Sequence, residues 1–220
     1  MLKFYYHPLS PLARRVWIAL LEKQLDFEPV VVNLSAGEQL KPEFLAISPF
    51  HHVPAIVDNG VRVIESLAIL DYLESKYPQI SLLPTQPETL ARVRMAQIVT
   101  NSELGSQVVP LVVSEVNSSQ KRLAAKHLKR VCKFLSELLD SNTFFGGEQF
   151  TVGDVVAGNG LILIDKLAFS LERYPNLAQY CDRLMARQPW QQAQPKDDDL
   201  QVWVEVVKKL YKTKSDRILS

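Results

Sequence analysis

The sequence predicts an α+β protein in two parts, a mixed β-α-β, β-β-α unit followed by an all-helical bundle. Three observations carry this. Short apolar runs bounded by turn signals fall in the first third of the chain, an Asn59-Gly60 pair between two of them marks a hairpin, and from residue 88 onward apolar positions recur at helical spacing with few breaks. A chain of 220 residues is long enough to bury a sizeable core. The composition shift places a first domain at 1–77, a linker at 78–87 and a second domain at 88–220.

The elements of the first part follow in order. Residues 2–6 read as a strand and His7, Pro8 and Leu9 as a loop. Ser10 is an N-cap with Pro11 at the first helical position, and Leu12, Val16, Ala19 and Leu20 put one apolar stripe on the helix that follows. Residues 27–33 form a second strand; Pro29 removes a ladder donor and confines it to a sheet edge. The hairpin strands are 55–58 and 61–64. Glu65 and Ser66 open a helix over 67–76 that Pro78 stops, and the proline-rich stretch 77–87 reads as the linker.

The second part is predicted to be helical throughout. Residues 88–140 are broken only by Pro110 and by the polar stretch 117–120, which separates two helices. Thr151 and Asp154 form a capping box, with Phe150 and Val155 at the staple positions. Residues 155–167 are apolar on nearly every side, which predicts a central buried helix. In the tail, Pro195 marks a turn. Acidic residues at 197–199 then precede Leu200, Trp203, Val204, Val207, Leu210 and Tyr211 on one helical face, although the pattern over 202–207 also permits a strand.

Composition excludes several function classes. Twenty-five basic against 24 acidic residues leave a net charge of +1, which gives no electrostatic argument for nucleic acid. No apolar run reaches membrane-spanning length and the start has no signal-peptide pattern, so the expectation is a cytoplasmic protein. Cys132 and Cys181 lie far apart in helix-like segments and read as buried free thiols. His51 and His52, with His7 and His127 elsewhere, lack a third nearby ligand, so no metal is expected.

Function is concentrated between residues 53 and 66. A helix opened by Glu65 and Ser66 presents unpaired N–H groups and a positive dipole end, a natural seat for a carboxylate. A cis Val53-Pro54 bond turns the Val53 backbone outward, where it can pair with an extended peptide ligand. With these motifs and the loop His7-Pro-Leu-Ser-Pro-Leu-Ala-Arg-Arg15, most of the chain resembles the cytosolic glutathione transferases of the serine type, nearest the theta and zeta classes.

The resemblance implies a thioredoxin-like domain followed by a helical bundle, usually as a homodimer, that conjugates glutathione, as co-substrate, to hydrophobic electrophiles. It assigns Val53 and Pro54 to the cysteinyl backbone of glutathione, Glu65 and Ser66 to its γ-glutamyl end, and Gln39 to its glycyl carboxylate. His52 stands where members often carry lysine, which implies a weaker or more pH-dependent grip on that carboxylate. Ser10 occupies the position of the reactive cysteine of thioredoxins. No cysteine lies in 10–13, which excludes dithiol chemistry and leaves a hydroxyl at a positive helix end, suited to holding a thiolate. One charge-assisted hydrogen bond supplies about 1.5–3 kcal/mol, enough to lower a thiol pKa by about one to two units.

Other readings stand beside this one. Ser10 is also a plain N-cap, Tyr5 and Tyr6 are the competing phenols, and Arg14 and Arg15 either add positive field or lie solvated. A zeta-like cis-trans isomerase would need a Ser-Ser-Cys triplet where Leu9-Ser10-Pro11 stands. A non-catalytic binding protein on the same fold would bind glutathione without lowering its thiol pKa. In theta-like enzymes a C-terminal extension lies near the electrophile pocket, so the tail helix is expected to cover the mouth of that site, against the alternative of simple packing on the bundle.

Overall fold

A computed structural model describes residues 1–115, 118–167, 169–195 and 197–218. The first part runs β1 (Leu2–Tyr6), α1 (Pro11–Glu22), β2 (Glu28–Val31), a short 3-10 turn, α2 (Pro42–Leu45), β3 (Ala55–Asp58), β4 (Val61–Ile64) and α3 (Ser66–Lys76). The sheet order is β2-β1-β3-β4, with β2 parallel to β1 and the remaining pairs antiparallel. Pro29 therefore sits on an edge strand, opposite Phe4. The strand is shorter than the 27–33 read from sequence, although Val32 still donates its N–H to Tyr6 O at 2.8 Å.

Helix α1 departs from its predicted stripe. Leu12 is 45% exposed, whereas Ala13, Arg14, Arg15, Val16, Ile18, Ala19 and Leu20 are all buried. The helix is covered on two sides: Ala13, Val16 and Leu20 pack with Leu2, Phe4, Ile56 and Leu73 against the sheet, while Ile18 and Ala19 join the core of the helical part. The arginines lie solvated in neither case. Arg15 donates to Asn101 Oδ1 at 2.6 Å and Arg14 Nε to Ala193 O at 3.1 Å.

After an irregular stretch, α4 (Pro87–Val99) leads through a π turn (Thr100–Leu104) into α5 (Gly105–Val113), then α6 (Ser119–Leu139), α7 (Val152–Lys166), α8 (Pro175–Met185), α9 (Gln188–Ala193) and α10 (Asp197–Ile218). Pro110 lies inside α5 and ends no helix; the interruption of regular α-helix falls at the π turn instead. Ser118 caps α6, accepting from Lys121 N–H at 3.2 Å, and Asn117 of the predicted break lies outside the described residues.

Every residue of α7 from Val152 to Ile164 is buried. Close approach explains Gly158: a Cβ there would stand 2.1 Å from Leu184 Cδ1 and 2.7 Å from Trp190 Cη2. The capping box at its start is formed, the Asp154 carboxylate accepting from both Thr151 N–H and Thr151 Oγ1 at 2.7 Å. Cys132 and Cys181 are free and buried, and burial pushes the Cys132 thiol up to about 12.

The tail is helical over 202–207, which removes the strand alternative: α10 lies along α5 and near the residues that flank Ser10. Its apolar stripe is only partly used. Leu200 is buried and Trp203, Val204 and Val207 are half-buried, but Tyr211 is 47% exposed, and the Leu210 side chain lies outside what is described.

Candidate functional site

Ser10 is held by its own turn. Its N–H donates to His7 O at 2.9 Å, and its Oγ accepts from Ala13 N–H at 3.2 Å as the N-cap of α1. Capping uses the lone pairs of the hydroxyl and leaves its proton free to donate, so the cap and a role toward a bound anion are compatible. No acidic residue lies in the first turn of α1, and the positive end of the helix dipole is uncompensated there. The Leu9 N–H lies 3.2 Å from His7 Nδ1, which must therefore accept; burial lowers the His7 pKa and favours that neutral form.

The competing phenols both pack against aromatic rings. Tyr6 stacks on Phe4 with centroids 4.9 Å apart and tilts against Trp17, and burial raises its pKa. Tyr5 tilts against Phe44.

The motif pair downstream converges on one cleft. Leu12, Ser48, His52, Val53, Pro54, Ile64, Glu65 and Ser66 line a solvent-open space of about 290 Å3. Val53-Pro54 is a cis peptide. Pairing of Tyr5 with Ala55 sets the end of β1, and so the Ser10 turn, beside Pro54. Pairing of Ala55 with Ile64 brings Glu65 to the same end of the sheet. Glu65 has φ 66° and ψ 119°, a strained backbone for a residue with a side chain, and it makes no capping bond of its own. Ser66, buried, opens α3 with its first-turn N–H groups at the cleft.

Five of the seven site residues read from sequence line this cleft, namely His52, Val53, Pro54, Glu65 and Ser66. Ser10 and Gln39 do not. Ser10 reaches it through Leu12, two residues on in the same helical turn. Gln39 is tied to the loop by its carbonyl, 3.4 Å from His51 Nδ1, and its Oε1 is buried with no hydrogen-bond partner. Sequence reasoning missed Ser48, whose hydroxyl donates to His52 O at 2.9 Å and lies 3.3 Å from the His52 N–H, holding the loop that ends in Val53. A serine directly before Pro49 was the turn signal that could have found it. Among the described residues no group of three or more ligating side chains assembles to hold a metal.

A second, closely packed crevice lies on the other side of the Ser10 turn. Leu9, Pro11 and Arg14 line it with Leu163 of α7 and with Pro195, Asp199, Leu200 and Trp203. The start of α10 thus packs against the residues that flank Ser10. Asn159 of α7 adds a tie to the same turn, donating to Pro11 O at 2.9 Å.

Comparison with known proteins agrees with this fold. The family model "Glutathione S-transferase, N-terminal domain" matches residues 4–81, and "Glutathione S-transferase, C-terminal domain" matches residues 89–183. A zeta-class glutathione S-transferase of Euphorbia esula is 35% identical over 178 residues, 79% of this chain and 77% of the relative. The delta-class glutathione transferase of Nilaparvata lugens superposes with a TM-score of 0.81 at 25% identity, covering 95% of this chain and 99% of that one. A glutathione transferase homologue from sulfitobacter, solved with bound glutathione, shares the fold with a TM-score of 0.75 at 24% identity, over 87% of this chain and 96% of that one.

Proposed function

The chain belongs to the glutathione S-transferase family, and from that membership we propose a serine-type enzyme that uses glutathione as co-substrate and conjugates its thiolate to hydrophobic electrophiles. The observation that carries the reading is the convergence of Val53-Pro54 and Glu65-Ser66 on one cleft beside the Ser10 cap. In this reading Ser66 and the first N–H groups of α3 receive the γ-glutamyl carboxylate, Glu65 its ammonium, and the Val53 backbone the cysteinyl peptide. Gln39 and His52 face the glycyl end. The Ser10 hydroxyl donates to the sulfur, stabilising thiolate over thiol at the positive end of α1. Sulfur then attacks the electrophile without further proton transfer to the protein.

The same reading takes 1–77 as the glutathione-binding domain, 78–87 as linker and 88–220 as the electrophile domain, in a cytoplasmic homodimer. Among the described residues no helix is long and apolar enough to cross a membrane. Exposed Phe50, Met95 and Ile98 supply apolar surface for a second copy to cover. The start of α10, packed against Leu9 and Pro11, supports its role as a wall of the electrophile site. Conjugation is preferred to isomerisation because Leu9-Ser10-Pro11 offers one hydroxyl and no thiol.

Two mutations test the assignment. Ser10→Ala lowers the conjugation rate about ten- to a hundredfold with little change in glutathione affinity, as loss of one charge-assisted hydrogen bond implies. Ultraviolet titration of bound thiolate reads it directly, and an apparent thiol pKa equal to wild type would leave Ser10 as a cap alone. Ser66→Ala and Glu65→Gln raise the Michaelis constant for glutathione with a smaller effect on the chemical step, since both act away from the sulfur. Unchanged glutathione affinity by calorimetry in both variants would remove them from the docking site.

A further inference from the structure

Asn159 is the only polar side chain between Asp154 and Asp165 on α7, and it is 2% exposed. Its Nδ2 donates to Pro11 O, 148 positions away in sequence. A carbonyl can only accept, so this contact fixes the orientation of the amide, and the Oδ1 on its other side is buried with no hydrogen-bond partner among the described residues. Pro11 opens α1, where the carbonyl of a first-turn residue already accepts from the N–H four positions on, so the bond satisfies no orphaned group of the helix. An amide left half unpaired in an apolar core adds little to stability. What it adds is position.

The position concerned is that of the Ser10 turn. Within the turn, Ser10 N–H donates to His7 O and Ser10 O accepts from Arg14 N–H at 3.0 Å. Among the described residues, two hydrogen bonds join residues 7–14 to the helical part, Arg14 Nε to Ala193 O and Asn159 Nδ2 to Pro11 O. Only the second grips the backbone of the turn, one residue from Ser10. Its donor has little room to shift along α7: a Cβ at Gly158 would stand 2.1 Å from Leu184 Cδ1, and one at Gly160 2.6 Å from Thr100 Cγ2, so neighbouring elements close on α7 on either side of Asn159.

We propose that Asn159 is a positioning residue for catalysis, holding the backbone beside Ser10 at the height at which its hydroxyl meets the sulfur of glutathione. The inference rests on the transferase reading of Ser10. In that reading the sulfur is placed from the first part of the chain, through Val53-Pro54 and Glu65-Ser66, whereas the start of α1 is set from the buried helix of the second part. Hydrogen bonds weaken steeply with misalignment, so a small drift of the turn costs thiolate stabilisation while the other contacts to glutathione stay intact.

The test is a double-mutant cycle of Ser10→Ala with Asn159→Leu, which keeps the side-chain volume and removes the donor. Asn159→Leu is expected to melt within about 5 °C of wild type and to bind glutathione alike by calorimetry, yet its bound thiol titrates about half a pH unit or more higher and kcat with a chlorodinitrobenzene falls about three- to tenfold. In the Ser10→Ala background it has no further effect on either, because the hydroxyl that it positions is gone. Asn159→Ser, which shortens the side chain, gives the same pattern and serves if Asn159→Leu does not fold. A thiol pKa and kcat equal to wild type overturn the proposal, as does an equal loss in both backgrounds, which marks a general effect on packing. Failure of both Asn159 variants to fold also overturns it, since the residue would then hold the core and not the turn. Wild-type thiol pKa and kcat in Ser10→Ala reject the serine reading and the inference with it, whereas a change in Ser10→Ala with none in the Asn159 variants rejects the inference alone.

Discussion

Asp154→Ala is expected to cost the fold about 3–5 kcal/mol, because its carboxylate is an acceptor for four buried donors. Phe145 N–H lies at 2.9 Å, Thr151 N–H and Oγ1 at 2.7 Å, and Tyr180 OH at 3.0 Å. Alanine leaves two buried backbone N–H groups without that acceptor and removes one half of the capping box of the central helix α7. Urea denaturation measures the loss, and a change below about 1 kcal/mol would mean that the site relaxes or hydrates. Burial raises the Asp154 pKa to about 6 from 3.8, while the hydrogen bonds pull it back. A raised carboxyl favours the folded state most below about pH 3.8, and that contribution is lost as pH rises through about 6. Wild-type stability relative to Asp154→Asn therefore declines between those limits, and a pH-independent difference would show that the carboxyl titrates alike in both states.

Glu74→Ala should be of similar size for a different reason. Lys23 Nζ lies 2.7 Å from Glu74 Oε1 and 2.7 Å from Ile80 O, with side-chain exposures of 1% and 7% for the two ionic partners. The other oxygen, Glu74 Oε2, accepts from Leu82 N–H at 2.9 Å. The pair thereby fastens the end of α1 and the body of α3 to residues 80–82. Removing the acid alone strands a buried ammonium, at a cost of about 3–5 kcal/mol and a melting temperature lower by roughly 10 °C. Lys23→Met with Glu74→Leu should recover part of this, since no charge remains unpaired, but not all, since Leu82 N–H loses its acceptor. Single mutants that each cost less than about 1 kcal/mol would show that the pair is hydrated in solution.

Elements with local causes were legible in the sequence. Asn59-Gly60, the Ser10-Pro11 cap and the Thr151–Asp154 box each satisfy their own backbone within a few residues, so the residues alone announce them. The cleft motifs were legible for the same reason: Val53-Pro54 and Glu65-Ser66 are adjacent pairs whose backbone demands are short-range. Leu12 was misread because a stripe marks only that a helix buries a face. It does not say that α1 is covered on two sides, which leaves the end nearest the cleft exposed.

What the sequence by itself determined is therefore the order of the elements, the edge position of the Pro29 strand, the buried character of α7 and the family to which the two motif pairs belong. Tertiary structure alone decided which charges are buried and what they meet. Arg14 reaches the carbonyl of Ala193, Arg15 reaches Asn101, Lys23 reaches Glu74, and the first residues of α10 come to rest against Leu9 and Pro11. A charged side chain carries no local mark of its burial. Its environment is assembled from segments up to 179 positions away, and it is the packing of α1 between sheet and helices that takes these groups out of water and leaves each to find a partner.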